Sequence, residues 1–258
     1  MGYWNKLKAN WYRRALDYSG LPSAALGVIL PHSAKAKTFL DAGCGCGTLA
    51  LPLAKAGKTV TALDPSKAML DILVHDARIL GLQKKIKPIL SEWADADIQR
   101  HDVIVCSNVP ELLKEPRAFI TKANVLARKA VFLIVNADPK ADKFYYKELY
   151  PLLFNKEFTE RGGYISTYTT LADMGIFANV RIIDYDFDQP FDSVDEAVLF
   201  WKEYLGLVTG EHDLKLRAYL SKKLVKKKKT LLARFHKKSA VIWWDLPFLK
   251  DRLPDGSR

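Results

Sequence analysis

The stretch Phe39-Leu-Asp-Ala-Gly-Cys-Gly-Cys-Gly-Thr48 decides how this chain is read. An apolar run over 38–41 reads as a strand, and 48–56 as a helix closed by Gly57. Between them Gly43, Gly45 and Gly47 let the backbone turn sharply and approach a ligand with no Cβ in the way. The helix that follows points the positive end of its dipole at the loop. Asp64 stands 17 residues beyond Gly47, at the end of a β-branched strand over 59–63. A carboxylate placed there accepts two hydrogen bonds from ribose hydroxyls. The glycine spacing is GxGxG; the third position of the dinucleotide fingerprint falls on Thr48 or Ala50, so a pyrophosphate has a poor cradle. The phosphate-binding lysine of a P-loop is missing, which sets ATP aside.

Outward from the loop, strands and helices alternate. Residues 3–18 read as an amphipathic helix, with Trp4, Leu7, Trp11, Ala15 and Tyr18 at spacings of three or four, ended by Gly20-Leu-Pro22. After Asp64, Pro65-Ser66 opens a helix running to about Leu80, with Gly81 as its stop. Strands follow over 86–90, 102–106 and 130–135, with a helix over 116–127 between the last two. This alternation implies a parallel sheet covered on both sides. Residues 139–178 are rich in aromatics without a clear strand. A strand over 180–187, helices over 191–205 and 214–228 and a last strand over 239–244 complete the pattern, with Ser193 and Glu196 as a capping box and a loose tail at 254–258.

Apolar residues make up 49% of the 258 and charged residues 27%, the proportions of a globular protein. There is no uninterrupted apolar run for a membrane helix, and the start lacks the apolar core of a signal peptide. Cys44, Cys46 and Cys106 form no disulfide framework, so a reducing cytoplasm is expected. Cys44 and Cys46 are spaced too closely for a redox or zinc pair, and the five histidines show no ligand spacing, so no metal is expected. The net charge is +11, yet nine Lys or Arg and no acid fall within 222–238; without those nine the remainder carries only +2. Such a run reads first as a solvated helix face, and second as a surface for polyanions.

Leu40-Asp-Ala-Gly-Cys-Gly-Cys-Gly resembles the first motif of class I S-adenosylmethionine-dependent methyltransferases, and Ala62-Leu-Asp-Pro-Ser-Lys-Ala-Met69 their second. The resemblance covers the order of segments from 38 to about 135. It implies a Rossmann-like α/β fold: a seven-stranded, mostly parallel sheet with helices on both faces. Residues 1–22 would be a helical lid and 23–258 the methyltransferase domain, with substrate-side insertions at about 139–178 and 191–229. It implies S-adenosylmethionine as cofactor and S-adenosylhomocysteine as product. Asp41, Gly43, Gly45 and Gly47 would surround the methionine part, Asp64 the ribose, and Pro65 and Met69 the adenosine. Glu92 would accept from the adenine amino group, with Trp93 beside the ring. The segment Cys106-Ser-Asn-Val-Pro110 would face the reacting methyl, making Asn108 a cofactor contact and candidate substrate orienter. It departs from the Asn-Pro-Pro-Tyr pattern of enzymes that methylate planar nitrogens, which argues against a nucleobase or amide nitrogen.

The acceptor pocket would be lined by Trp4, Trp11 and Tyr12 closing over the cofactor, and by Tyr145, Tyr146 and Tyr150 from the aromatic segment. Enclosed aromatic walls favour a small or medium organic acceptor. The alternatives are an RNA or protein acceptor docking through 222–238, and a non-catalytic cofactor-binding module. Phe235 is the one aromatic in the basic run, which weakens single-strand binding by stacking. Intact motifs weaken the non-catalytic reading. Aminopropyl transfer on the same fold would need acids to hold a polyamine, and Ser107-Asn108 supplies none.

Overall fold

The computed structural model describes residues 3–138, 142, 144–159 and 163–246. The tail 254–258 and parts of the 139–178 insertion lie outside the described residues. The helix α1 spans Lys6–Leu16, capped by the Asn5 side chain accepting from the Lys8 amide. The next, α2, spans Leu21–His32. The first helix ends before Gly20-Leu-Pro22, as the sequence indicates, and the same stretch opens a second helix with Pro22 in its first turn, where proline fits. A boundary at residue 22 therefore falls inside α2.

The alternating core follows: β1 (Thr38–Ala42), α3 (Ala50–Lys55), β2 (Thr59–Asp64), α4 (Lys67–Ile79), β3 (Ile86–Leu90), β4 (His101–Ser107), α5 (Pro116–Leu126) and β5 (Ala127–Asn136). Then come α6 (Tyr146–Phe154), α7 (Tyr164–Asp173), β6 (Asn179–Asp186), β7 (Gln189–Phe191), α8 (Val194–Leu205), α9 (Asp213–Lys223), β8 (Val225–Lys227), β9 (Thr230–Ala233) and β10 (His236–Asp245). The main sheet has seven strands in the order β3-β2-β1-β4-β5-β10-β6. β10 runs antiparallel to both β5 and β6, and the other pairings are parallel.

Two apolar layers sandwich the sheet. Leu21, Ile29, Leu53 and Leu73 from α2, α3 and α4 cover one face. Phe119, Ile120 and Leu171 from α5 and α7 cover the other. The central strands are buried on both faces, which explains their unbroken apolar runs. Strand order reverses between β1 and β4, and ligands of open α/β sheets bind outside the carboxyl ends at such a point.

A third layer caps that end. α6, α8 and α9 pack with the small sheet β7-β9-β8 around Phe144, Phe191, Phe200, Trp201 and Leu216. Here the sequence reading needs two corrections. Phe191 belongs to β7, and α8 begins at Val194 with Ser193 as cap. The helix expected over 214–228 stops at Lys223, and β8 and β9 form a hairpin turning at Lys228 (φ +56°). Leu231, Leu232 and Ala233 bury against the cap, so pairing in a strand wins over continuing a helix whose lysines have no apolar stripe.

Candidate active site

The glycine loop leaves β1 at the switch point. The amides of Gly43 and Cys44 both donate to the Leu63 carbonyl, at 2.8 and 2.9 Å, which ties the loop to β2. Gly43, Gly45 and Gly47 hold φ of +73°, +53° and +95°, a region that L side chains rarely adopt. Their surroundings differ. A Cβ on Gly43 would lie 2.5 Å from Val109, and one on Gly47 would lie 2.6 Å from Leu73. One on Gly45 would meet nothing nearer than the Met69 sulfur at 4.0 Å. Gly43 and Gly47 therefore serve packing, while Gly45 faces open space.

Asp64 locks the loop from the end of β2. One oxygen accepts from the Gly45 amide and the other from the Ser66 amide, each at 2.8 Å. Burial pushes its pKa up, those two bonds pull it down, and nearby Glu92 adds to the rise. Each oxygen has a second lone pair for further donors. Asp41, at the carboxyl end of β1, is 1% exposed. Burial, and then the charge of Asp64, push its pKa up to about 7, against a hydrogen bond with the Ala50 backbone. Its Oδ2 is buried without a hydrogen-bond partner. A buried acceptor without a donor costs about 1–3 kcal/mol. The residues thus fit a ligand that brings a cationic donor to this end of β1 and hydroxyl donors to Asp64. Cys44, Cys46 and Cys106 are buried free thiols, and burial pushes all three pKa values up, Cys46 to about 12.

α1 lies across this loop. Ala9 packs against Cys46 and Met69, with Trp4 and Tyr12 alongside. The Tyr12 hydroxyl is 3.1 Å from that of Thr48, and the Trp4 carbonyl accepts from the Ser66 hydroxyl. Arg13 bonds to Asp76 of α4, holding the helix down. Trp11 points elsewhere: it is 1% exposed, donates to Glu196 of α8 and packs on Phe200. It is core of the cap, not a cover for the loop. A helical stripe reveals that a residue is buried, not which partner buries it.

The remaining candidates separate in the same way. Pro65 and Glu92 are exposed beside Asp64. Trp93 is buried against Phe119 in the layer formed by α5, so it serves that core instead of standing open beside a ring. Tyr145 stacks on Trp201 and is bonded to the backbone of Arg234; with Tyr146 and Tyr150 it belongs to the cap core. Asn108 ends β4 in the left-handed region (φ +53°) with its side chain exposed, and its amide donates to the Ile134 carbonyl at 2.8 Å. Asparagine tolerates that backbone better than most residues. Three residues that sequence reasoning missed join this edge. Thr48 meets Tyr12, and Tyr185 of β6 shares a 2.8 Å hydrogen bond with Ser239 of β10 while facing Asn108. Only the pairing of β6 with β10 brings the last two together, and no local pattern announces it.

A methyltransferase-domain family model matches residues 40–130, the span from the glycine loop into β5. An uncharacterized protein of Haemophilus influenzae is 30% identical over 214 residues, covering 81% of this chain and 76% of that protein. A ubiquinone biosynthesis O-methyltransferase of Coxiella burnetii is 33% identical over 110 residues, covering 42% of this chain and 47% of that enzyme. This chain thus aligns with about half the length of that enzyme. Among solved structures, YcgJ of Bacillus subtilis superposes with a TM-score of 0.52 at 15% identity, over 87% of this chain and 98% of that one, a likeness of fold. Residues 40–130 thus carry a methyltransferase domain. No helix among the described residues is long and apolar enough to cross a membrane.

Proposed function

We propose that this chain binds S-adenosylmethionine at the carboxyl end of β1 and β2 and methylates a small organic acceptor held beside Asn108. The observation that carries the reading is the partnerless Oδ2 of Asp41, buried next to a glycine loop whose Gly45 faces open space. The cofactor's methionine part carries an ammonium to satisfy that oxygen, and its ribose carries the donors for Asp64. When bound, it supplies a methyl group made electrophilic by the adjoining sulfonium.

The chain's own part is alignment. Holding nucleophile and methyl in line is worth about 7–11 kcal/mol of barrier. Asn108 orients the acceptor from the end of β4, and α1 acts as a lid that excludes water. Burial raises the pKa of Tyr12 and Tyr204, so these phenols stay protonated at neutral pH. No dedicated base is required if the acceptor arrives ionised. A small acceptor is favoured because α1 and the aromatic cap pack over the carboxyl edge of the sheet. The name of the Coxiella burnetii relative supports oxygen as the accepting atom.

Calorimetry tests the cofactor. S-adenosylmethionine and S-adenosylhomocysteine should bind, and NAD and ATP should not. A screen of hydroxylated acceptors reading out S-adenosylhomocysteine tests the activity. Binding of NAD in preference to either sulfur ligand would sink the reading.

A further inference from the structure

Outside 222–238 the chain carries a net charge of only +2, but that charge is unevenly placed. β3, β2, β1, β4 and β5 run parallel, so all five begin at the amino edge of the sheet, opposite the glycine loop. The turns that feed β1, β2 and β3 span 33–37, 56–58 and 80–85, and β5 opens on Ala127-Arg128-Lys129. These stretches hold seven Lys or Arg and no Asp or Glu. Neighbouring strands lie about 4.8 Å apart, so the row of cations extends over about 20 Å.

Two of the seven are engaged. Lys58 donates to the carbonyls of Ala34 and Ala36 just beyond α2, and Lys129 pairs with Asp102 at 3.2 Å. Cations near helix ends commonly serve in this way. Lys35, Lys37, Lys84, Lys85 and Arg128 are exposed, and their side chains pair with no acid among the described residues. One further acid, Asp245, ends β10 opposite Ala130. Burial chiefly, with the charges of Arg128 and Lys87, pushes the His101 pKa down at the start of β4, so positive potential converges there even beside Asp102. Aliphatic side chains flank the row. α4 ends on Ile79 and its cap Leu80, 69% and 42% exposed, shortly before Lys84 and Lys85. Val125, 65% exposed, stands in the last turn of α5, shortly before Arg128. α4 and α5 pack on opposite faces of the sheet, so the aliphatics stand on both sides of the cations.

We propose that this amino edge docks the protein on an anionic lipid surface, with the lysines and Arg128 among the headgroups and Ile79, Leu80 and Val125 at the interface. Lys and Arg gain from a negative leaflet, and exposed aliphatics gain from leaving water at the headgroup boundary. Each cation within reach of the leaflet strengthens partitioning about fivefold, or about 1 kcal/mol. A nucleic-acid backbone would use the cations but not the aliphatics, and these stretches contain no Phe, Tyr or Trp on which a base could stack. Docking by this edge leaves the carboxyl edge, with Asp41 and Asn108, turned to water, so the acceptor arrives from solution.

The test is co-sedimentation of the full chain with vesicles of phosphatidylcholine, with and without phosphatidylglycerol. Anionic vesicles should carry the protein down and neutral ones should not. Replacing Lys37, Lys84, Lys85 and Arg128 with Gln should weaken that partitioning at least about tenfold. Replacing Lys226 through Lys229 with Gln removes the same charge from the β8–β9 hairpin and should weaken it less than about threefold. Ile79→Ser combined with Val125→Ser changes no charge and should weaken it about fivefold. Tm should stay unchanged in all three variants. If the first melts early, Lys84→Gln with Lys85→Gln is compared with Lys228→Gln with Lys229→Gln. Equal losses in the two charge variants would mark net charge alone and overturn the proposal, as would anionic vesicles that leave the wild type in solution. An aliphatic variant that sediments like the wild type would point to a phosphate backbone as the partner and overturn it too.

Discussion

Asp41 ties pH to both stability and cofactor binding. Its pKa rises from an ordinary 3.8 to about 7 in the fold, chiefly through burial. A carboxyl with a raised folded pKa contributes stability below its unfolded value, and that stability is lost as pH rises toward about 7. Asp41→Asn removes the ionised form, so it should raise Tm relative to wild type at about pH 8 and lose that advantage by about pH 4. Equal Tm differences at both pH values would contradict it. The bound ammonium favours the carboxylate, so S-adenosylhomocysteine binding should release a proton below about pH 7. Affinity should climb from about pH 5 and level off above 7, read by calorimetry in two buffers of different ionisation enthalpy. In Asp41→Asn the affinity should fall and the pH dependence disappear. The glycines make a second residue-level prediction. Gly47→Ala drives a Cβ into Leu73 and Leu51 and should cost folding stability by about 1–3 kcal/mol. Gly45→Ala meets open space, so its fold should lose only the left-handed backbone penalty of about 1–2 kcal/mol, while cofactor affinity drops. Thermal melts beside calorimetry separate the two; identical profiles for both variants would refute the division.

The helix α1 has two faces with different employers. Trp11 is enclosed by the cap, whereas Trp4 lies against Tyr12 above the glycine loop. Trp11→Ala should therefore destabilise the fold by about 3–5 kcal/mol. Trp4→Ala should leave Tm nearly unchanged and weaken S-adenosylhomocysteine binding. A Trp4→Ala protein that binds normally would show that α1 is no lid. Element by element, the core from β1 to β5 was legible in the sequence, because strand-like runs alternate with helices that Gly57, Ser66 and Gly81 punctuate. Ser66 caps α4 by accepting from the Met69 amide, as its place before the helix suggested. α2 was not legible. Leu21-Pro-Ser-Ala-Ala-Leu-Gly-Val-Ile-Leu-Pro-His32 is apolar on nearly every side, so it shows no 3.6-residue stripe, and its prolines read as breaks. The motif residues Asp41, Gly45 and Asp64 were legible because one local turn sets them together. Ser239 and Tyr185 were not, because strand register more than 50 residues apart in sequence decides that meeting.

At the scale of the whole molecule, the basic run is divided between solvent and the cap. The +11 net charge is concentrated in a segment that ends α9, turns the β8–β9 hairpin and enters β10. Lys226, Lys227, Lys228 and Lys229 are all exposed, while Leu232 and Ala233 on the returning strand bury into the cap. The hairpin thus turns its apolar side to the cap and its lysines to water. Lys223, where α9 ends, is engaged with Glu148 and lies over Tyr145 and Tyr219, so that part of the run holds the cap together. Replacing Lys226 through Lys229 with Gln should therefore leave Tm, S-adenosylhomocysteine affinity and turnover of the true acceptor nearly unchanged. A nucleic-acid acceptor held by these lysines predicts otherwise: weaker binding, and a slope of log affinity against log salt reduced by about 3–4 units for four lost phosphate contacts. The hairpin tip has no aromatic side chain on which a base could stack, since Phe235 is buried with Phe144 and Tyr145. Salt-sensitive binding of a polyanion without turnover would reflect net charge alone. Methyl transfer to RNA by the wild type, lost in the fourfold variant, would overturn the small-acceptor reading and make the hairpin part of the substrate site.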